Sequence, residues 1–301
     1  MKSGILCLYK EKGFTSHDAV ALIRRFYGTK KVGHTGTLDP QATGVLPILI
    51  GGAVKACDLI PEETKIYRAV VKFGIETDTE DVWGKTIKTD STRPNKEDFL
   101  KAAESFLGEY MQIPPMVSAV KIDGKKLYEY QREGKMVERQ ARPVFVHALT
   151  VTSFSEEEAS VVAEVSKGTY IRTLLTDLCK KVGCLGAMSA LEREKSGIFT
   201  LEKAVRLEKI EEMTLEEREG LLVPVETIFS LYPKFEIPTF FDRLIANGCR
   251  VNVKKLGLAD EKVGQRFRLY QNGKFFALGE IKAFEGEICL CKIKDFPPDI
   301  K

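Results

Sequence analysis

A glycine- and threonine-rich loop contains the residue of this sequence best suited to nucleophilic chemistry. The loop reads Gly33-His34-Thr35-Gly36-Thr37-Leu38-Asp39-Pro40-Gln41-Ala42-Thr43-Gly44-Val45-Leu46-Pro47. Its glycines permit tight turns and close approach of the backbone to a ligand, and Pro40 has a fixed φ angle directly after the single carboxylate, Asp39. A carboxylate in restricted geometry can attack one chosen atom. Asp39 is therefore a candidate nucleophile.

The loop also has a structural interpretation. An Asp before a Pro commonly forms an Asx turn or caps a helix, and the local spacing by itself favours that role for Asp39. The loop is not a phosphate-binding P-loop, because no Gly-Lys-Ser/Thr follows at the required distance.

The elements on either side of the loop are predicted from capping and periodicity. Thr15 and Asp18 form a capping box, and apolar residues then recur at helical spacing as far as Phe26, which predicts a helix ending before Gly28. The apolar run at 45–50 predicts a buried strand. The loop that carries Asp39 would thus connect a helical region to a strand.

Further elements alternate between strands and isolated helices. Residues 66–73 and 159–166 predict strands, while helices are predicted from Asn95 towards Gly108 and from Thr169 to Lys181. This alternation indicates a mixed α/β or α+β sheet domain.

Residues 119–143 predict an exposed excursion, because they are charged, rich in Tyr and Lys, and weakly periodic. Residues 121–142 carry seven Lys or Arg against four Asp or Glu. We expect the excursion to be mobile until a partner binds, although a plain solvated hairpin is the alternative.

The C-terminal region predicts a small β domain. The acidic stretch 202–219 is helix-prone, the proline-containing stretch 231–238 suggests a boundary, and 239–247 predicts a short helix. An Asn272-Gly273 hairpin follows between alternating strands. We therefore expect a large domain at 1–230 and a small β-barrel at 231–301.

Composition narrows the class of protein. The chain has 301 residues, a formal net charge of +3 and 44% hydrophobic residues, as in ordinary globular proteins. No apolar run is long enough for a membrane span and no signal peptide is evident, so we expect a cytoplasmic protein. The seven cysteines are scattered, without the paired C-x2-C groups typical of zinc sites, and are predicted to be reduced.

Several long stretches, in order along the chain, resemble the TruB family of pseudouridine synthases. They are 4–18, the loop with its preceding residues at 28–47, Lys65-Ile66-Tyr67-Arg68, 77–84, the stretch from Ile113 to Lys121, and 166–174. The segment 273–280 is similar to the small PUA-type RNA-binding barrel of the same family. The resemblance implies an α+β fold, with a mixed, largely antiparallel sheet, flanking helices and a PUA-like barrel. It also makes residues 119–143 an RNA-binding thumb, which we expect to be mobile until RNA binds.

The resemblance implies that Asp39 attacks the target nucleotide, and it assigns further residues to the site. Arg172 would be the ion-pair partner that keeps the carboxylate charged and oriented. Tyr67 would stack on the extruded uracil and Tyr170 would line the same pocket. The remaining binding residues it implies are His34, Leu191, Asp81 and Lys55. Structural alternatives are core packing for Tyr67, Tyr170 and Leu191, a surface position for Arg172, and an ordinary exposed carboxylate for Asp81.

Three positions depart from the family's usual residues. Glu11 stands where Pro is usual, Met188 replaces a common His, and Glu192 replaces an Arg. An acid in place of a base weakens attraction to phosphate locally. The departures concern tRNA contacts rather than Asp39.

The resemblance further implies a reaction and a partner. The reaction would be isomerisation of uridine to pseudouridine at position 55 in the T loop of tRNA, with base flipping and without a cofactor or metal. We expect a monomer that binds the T arm without an obligatory protein partner or a membrane. The alternatives are a guide-RNA-dependent catalytic subunit, which a compact C-terminal barrel disfavours, and a non-catalytic RNA-binding or tRNA-folding protein.

Overall fold

The computed structural model describes residues 2–61 and 64–296, and its largest element is a ten-stranded mixed sheet. The strands of the first 230 residues are β1 (Gly4–Lys10), β2 (Val32–His34), β3 (Thr43–Ile50), β4 (Lys65–Phe73), β5 (Ile75–Thr77), β6 (Thr86–Thr89), β7 (Gly108–Gln112), β8 (Lys121–Ile122), β9 (Lys125–Lys126), β10 (Arg142–Phe154), β11 (Glu158–Val165), β12 (Gly186–Ser196), β13 (Phe199–Thr200) and β14 (Val205–Arg206). The order across the sheet is β14-β1-β3-β12-β4-β11-β10-β7, with β13 paired to β12 and β2 to β3.

Most of this sheet is antiparallel, as expected. Along its main path only two pairs of neighbours, β14 with β1 and β12 with β3, are parallel. The long central strand β12 was not predicted. Two irregularities in its pairing with β4, between Met188 and Ala190 and between Arg193 and Lys195, interrupt the regular alternation of a strand.

Seven α-helices accompany the sheets in the described part of the chain. They are α1 (Ser16–Phe26), α2 (Lys96–Glu104), α3 (Leu127–Arg132), α4 (Ile171–Lys181), α5 (Leu207–Glu212), α6 (Leu215–Gly220) and α7 (Asp242–Ala246). Across residues 2–61 and 64–296, none of the helices combines the length and the apolar character that crossing a bilayer requires.

The predicted helix starts differ in accuracy. The Thr15–Asp18 capping box of α1 is confirmed, since the Asp18 amide donates to Thr15 Oγ1 at 3.0 Å and the Thr15 amide to Asp18 Oδ2 at 2.9 Å. Helix α4 begins two residues later than predicted, with Tyr170 as its N-cap, so that Arg172 lies in the first turn.

The main core fills the space between the large sheet and helices α1, α2 and α4. Ile23 of α1, Phe99 of α2 and Leu174 of α4 are completely buried in it. Burial of one face of each helix on the sheet explains why the predicted periodicities are helical there.

The C-terminal residues form a five-stranded sheet. Its strands are β15 (Lys234–Glu236), β16 (Val251–Asn252), β17 (Arg266–Gln271), β18 (Lys274–Phe284) and β19 (Glu287–Asp295), in the order β15-β17-β18-β19-β16. The predicted hairpin is confirmed, with Asn272 and Gly273 both at positive φ, 51° and 72°. The curled sheet is consistent with the expected PUA-like fold, as an open half-barrel.

The excursion at 119–143 contains the two-stranded β8–β9 hairpin and the short helix α3. The domain ranges 1–230 and 231–301 stay a prediction, and their outer ends, residue 1 and residues 297–301, lie outside the described residues.

Candidate active site

The loop that carries Asp39 connects β2 to β3 and is fastened to the start of α1. The buried Ser16 hydroxyl accepts a hydrogen bond from the Leu38 amide at 2.9 Å and donates one to the Leu38 carbonyl at 3.1 Å. Both backbone groups of the residue before Asp39 are therefore fixed by one side chain.

A buried lysine holds the residue after Asp39. Lys10 Nζ donates to the carbonyl oxygens of Glu11 at 2.9 Å, Phe14 at 2.8 Å and Pro40 at 3.2 Å. Burial lowers the pKa of Lys10 to about 8, while the negative charge of Asp39 acts in the opposite direction. The three bonds use all three N–H groups of an ammonium ion.

A buried arginine joins the two ends of the loop. Arg193 lies on β12; its Nε donates to the Val45 carbonyl at 2.6 Å and its Nη2 to the Gly36 carbonyl at 3.2 Å. Gly44 packs directly on the Arg193 backbone, since a Cβ atom at Gly44 would lie 2.3 Å from the Arg193 carbonyl oxygen. The loop is thus closed against β12 by both backbone and side chain.

Asp39 forms an ion pair with Arg172. Arg172 Nε lies 3.0 Å from Asp39 Oδ2, and Nη2 lies 3.4 Å from Oδ1. The arginine side chain is 4% exposed and the aspartate 35%, so the carboxylate is accessible while its partner is not. Arg172 also donates to the carbonyls of Thr79 at 2.7 Å and Val117 at 2.8 Å, which fixes the orientation of the guanidinium.

Asp39 and Arg172 line a cavity of about 290 Å³. The same cavity is lined by Tyr67 of β4, Leu191 of β12 and Tyr170 at the start of α4. Tyr67 and Leu191 are buried. The cavity therefore presents one carboxylate next to apolar and aromatic side chains, an arrangement that suits a flat ring held beside a nucleophile.

Tyr170 is held in place through its backbone. The Gln112 side chain accepts from the Tyr170 amide at 2.8 Å and donates to its carbonyl at 3.0 Å. Burial raises the pKa of the Tyr170 phenol, with Ser118 and Arg172 opposing that effect.

Three of the residues proposed from the sequence lie outside the lining of this cavity. His34 is at the end of β2, with its ring 5.9 Å from that of His17, and burial lowers its pKa, assisted by His17 and Arg193. Asp81 reaches Arg172 from another side, at 3.9 Å from Nη1. Lys55 is elsewhere, in an exposed ion pair with Asp295 at 3.0 Å.

The two acidic departures have partners within the protein. Glu11 pairs with Arg206, whose guanidinium lies 4.3 Å from the centre of the Tyr9 ring, and the Tyr9 hydroxyl donates to Glu192 at 2.9 Å. Met188 is buried, and its amide donates to the Glu80 carbonyl at 3.0 Å. Arg206 therefore offsets the added negative charge of Glu11, whereas Glu192 is satisfied by a neutral donor.

Lys10, Ser16 and Arg193 were not assigned to the site from the sequence. Lys10 and Ser16 belong to the first stretch that resembles the family, and Arg193 is the second Arg of the family's Leu-Arg-Arg pattern, in which Glu192 replaces the first. Charged residues are rarely buried unless they have partners. The loop partners of Lys10 and Arg193 are far away in the sequence, so local residue spacing could not predict these contacts. Among the described residues, no group of three or more His, Cys, Asp or Glu is placed to hold a metal ion.

Comparison with known proteins adds independent information. Residues 24–171 match the family model described as the TruB family pseudouridylate synthase N-terminal domain, and residues 172–230 match that of the tRNA pseudouridylate synthase B C-terminal domain. Proteins named tRNA pseudouridine synthase B are 42% identical over 285 residues in Clostridium tetani, which is 94% of this chain and 97% of that protein, and 40% identical over 277 residues in Aromatoleum aromaticum, 92% and 88%.

The fold is also found among solved structures. A chain from the "Crystal Structure of a Cbf5-Nop10-Gar1 Complex" aligns with a TM-score of 0.73 at 24% identity, and the alignment covers 98% of this chain and 85% of that one. At this identity the match concerns the fold.

Proposed function

This chain belongs to the TruB family of pseudouridylate synthases, and from that membership we propose that it isomerises uridine to pseudouridine in tRNA, at position 55 of the T loop. The observation that carries the proposal is the ion pair of Asp39 and Arg172 beside a cavity with aromatic walls. This ion pair places the one carboxylate of the loop beside a cavity whose size and aromatic lining suit a nucleobase.

In the proposed reaction Asp39 attacks the target nucleotide and the bond between N1 of uracil and C1′ of ribose breaks. The base turns within the cavity, C5 bonds to C1′, the hydrogen on C5 leaves to solvent as a proton, and N1 takes up a proton from solvent. Asp39 is regenerated, so atoms and electrons balance without an added reactant. Arg172 acts by holding the carboxylate in one orientation, because its guanidinium is itself fixed by two backbone carbonyls.

The nucleotide must leave the stack of the RNA to reach Asp39. Tyr67 would stack on the extruded uracil, with Tyr170 and Leu191 completing the walls. His34 lies next to the cavity rather than in its lining, which suits contact with the RNA around the flipped base. Asp81 would act through Arg172, and Lys55, which is exposed and outside the cavity lining, would contact the RNA rather than the flipped base.

The proposed partner is the T arm of tRNA. The thumb at 119–143, with its excess of positive charge, and the C-terminal half-barrel would contact the RNA backbone. We propose that the protein works as a monomer in the cytoplasm, without an obligatory protein partner.

The test measures tritium release from an unmodified tRNA transcript labelled at C5 of uridine. We expect release equivalent to one site for the wild type and none for Asp39→Asn. A transcript with the T-loop target uridine replaced should also give none. Asp58→Asn, which removes an exposed carboxylate outside the cavity lining, is the matched control and should release tritium like the wild type.

Tight binding of tRNA by the wild type without release would reject the proposed reaction in favour of an RNA-folding or partner-dependent role. Release that persists in Asp39→Asn would reject Asp39 as the nucleophile. Release from the transcript without its target uridine would reject position 55.

A further inference from the structure

Buried polar atoms without a hydrogen-bond partner in the protein gather around the candidate active site. In the described part of the chain there are five such side-chain atoms: His34 Nδ1, Thr35 Oγ1, Ser118 Oγ, Arg193 Nη1 and Asp242 Oδ1. All but Asp242 belong to the Asp39 loop or to residues near it. Unpaired buried polar groups are rare in native proteins, and each one calls for a physical reason.

Ser118 is the most enclosed of the residues that both line the cavity and carry an unpaired atom. Its exposure is 6%, and it lines the same cavity as Asp39, Tyr67 and Leu191. The Ser118 hydroxyl is close enough to the Tyr170 phenol to lower its pKa, but its oxygen has no partner in the protein that meets hydrogen-bond geometry.

The backbone at Ser118 is fixed relative to the reacting carboxylate. The carbonyl of the preceding residue, Val117, accepts from Arg172 Nη2 at 2.8 Å, and the same nitrogen contacts Asp39 Oδ1 at 3.4 Å. The backbone that carries Ser118 is therefore held at a set position from Asp39. A buried hydroxyl gains most from a ligand that supplies its missing partner, because leaving it unpaired is unfavourable.

We propose that the Ser118 hydroxyl forms a hydrogen bond with the polar edge of the extruded uracil and is a specificity-determining residue of the site. This inference rests on the proposed function. A hydroxyl can donate to a uracil carbonyl or accept from N3–H, whereas Tyr67 and Leu191 offer mainly apolar surface. A base without the matching atom would leave the hydroxyl unpaired, which is how a polar pocket rejects an analogue.

Ser118→Ala is the direct test, with kcat, KM and thermal stability measured together. We expect kcat/KM for tRNA to fall about three- to tenfold, as for loss of one neutral hydrogen bond. The melting temperature should not fall, because the hydroxyl has no partner to lose in the free protein. A fall in melting temperature with unchanged kcat/KM would make Ser118 a structural residue and overturn the proposal.

Ser105→Ala is the matched control. Ser105 follows α2, and its hydroxyl donates to the Ala102 carbonyl at 2.6 Å, outside the cavity lining. This change should lower stability and leave kcat/KM unaltered, which is the opposite pattern.

Substrate analogues identify the contact. The target uridine is replaced by 2-thiouridine, 4-thiouridine or N3-methyluridine, and each is tested with the wild type and with Ser118→Ala. We expect the loss in kcat/KM caused by at least one analogue to disappear in Ser118→Ala, since the two changes remove the same bond. Losses that add for all three analogues would overturn the proposal. If the wild type itself releases no tritium from ordinary tRNA, the proposed function fails first, and this outcome is distinct from an active enzyme that is indifferent to Ser118.

Discussion

Asp39 owes its position to side chains that bind the peptide groups around it. Ser16 holds Leu38, Lys10 holds Pro40, and Arg193 spans the loop from Gly36 to Val45. Each of these side chains is buried. A nucleophile gains from such restriction because little ordering is then needed when the substrate binds.

At Arg172 the shape of the side chain matters as well as its charge. One guanidinium contacts Asp39 and the carbonyls of Thr79 and Val117 together, which the compact ammonium of lysine cannot do. We expect Arg172→Lys to lower kcat by about 100-fold or more, through loss of carboxylate orientation. Single-turnover tritium release measures this step, with a thermal melt to establish that the variant folds. Activity within threefold of the wild type would show that charge alone is sufficient.

The pKa of Lys10 leads us to expect that kcat depends on pH. Burial lowers the pKa of Lys10 to about 8. As the pH rises through this value, the ammonium loses a proton and with it one of its three hydrogen bonds to carbonyls. We expect kcat to fall in this range, because the Pro40 carbonyl is among the three. Lys10→Met should be less active throughout and should lack this basic limb.

Stability should change in the opposite direction at Lys10. Between about pH 8 and the ordinary value of 10.5, the unfolded chain binds more protons than the folded one, so this group makes the free energy of unfolding rise with pH. The difference between wild type and Lys10→Met in urea unfolding, measured from pH 7 to 10, tests this. A difference that does not vary with pH would contradict the assignment.

Among the elements, the pairing of β3 with β12 leaves no room for a side chain at Gly44. Gly44 has a φ of 104°, and a Cβ there would meet the backbone of Arg193 at 2.3 Å. Gly183, after α4, also has positive φ, 73°, but has open space around it. A substitution at Gly183 introduces backbone strain alone, whereas one at Gly44 introduces strain and a steric clash.

We expect Gly44→Ala to destabilise the fold by about 3 kcal/mol or more, and Gly183→Ala by only about 1 kcal/mol. The excess at Gly44 reports the contact of β3 with β12 that closes the Asp39 loop. Urea unfolding of both variants measures the two values. Equal losses would mean that strain in φ explains both and that the contact is easily relieved.

Strand β12 also shows a limit of sequence patterns at this scale. The helix α1, the strands β3 and β4, and the Asn-Gly hairpin follow regular periodicities and were predicted. Irregular pairing interrupts the alternation of β12, so its pattern is not that of a regular strand. Its residues Leu191 and Arg193 nevertheless face the cavity and the loop.

In the whole molecule, the C-terminal half-barrel shares a hydrophobic cluster with the large sheet. Ile5 and Val45 of the large sheet and Leu278 of β18 belong to this cluster, and Phe229 packs its ring 5.6 Å from that of Phe296. The exposed ion pair of Lys55 with Asp295 joins the same two parts. The Val45 carbonyl also accepts a hydrogen bond from Arg193, so this hydrophobic cluster lies next to the contacts that hold the Asp39 loop.

Removal of residues 231–301 tests the predicted domain boundary. We expect the remaining chain to fold with a clearly lower melting temperature, because apolar surface of Ile5 and Phe229 becomes exposed. Calorimetry and binding of a hydrophobic dye would show this. A truncated chain that melts at the same temperature as the full one would mean that the two parts are energetically independent.

The sequence by itself determined the α+β class, the main local elements and the candidate nucleophile, because periodicity, capping and turn chemistry are local and the resemblance carries whole motifs. It also paired Asp39 with Arg172, although only through that resemblance. Tertiary structure alone decided that Lys55 lies away from the cavity and that Lys10, Ser16 and Arg193 secure the loop. The contact of Arg193 with Gly36 spans 157 residues and that of Arg172 with Asp39 spans 133. Contacts between residues so far apart depend on which strands become neighbours in the sheet. Local residue spacing does not predict strand order.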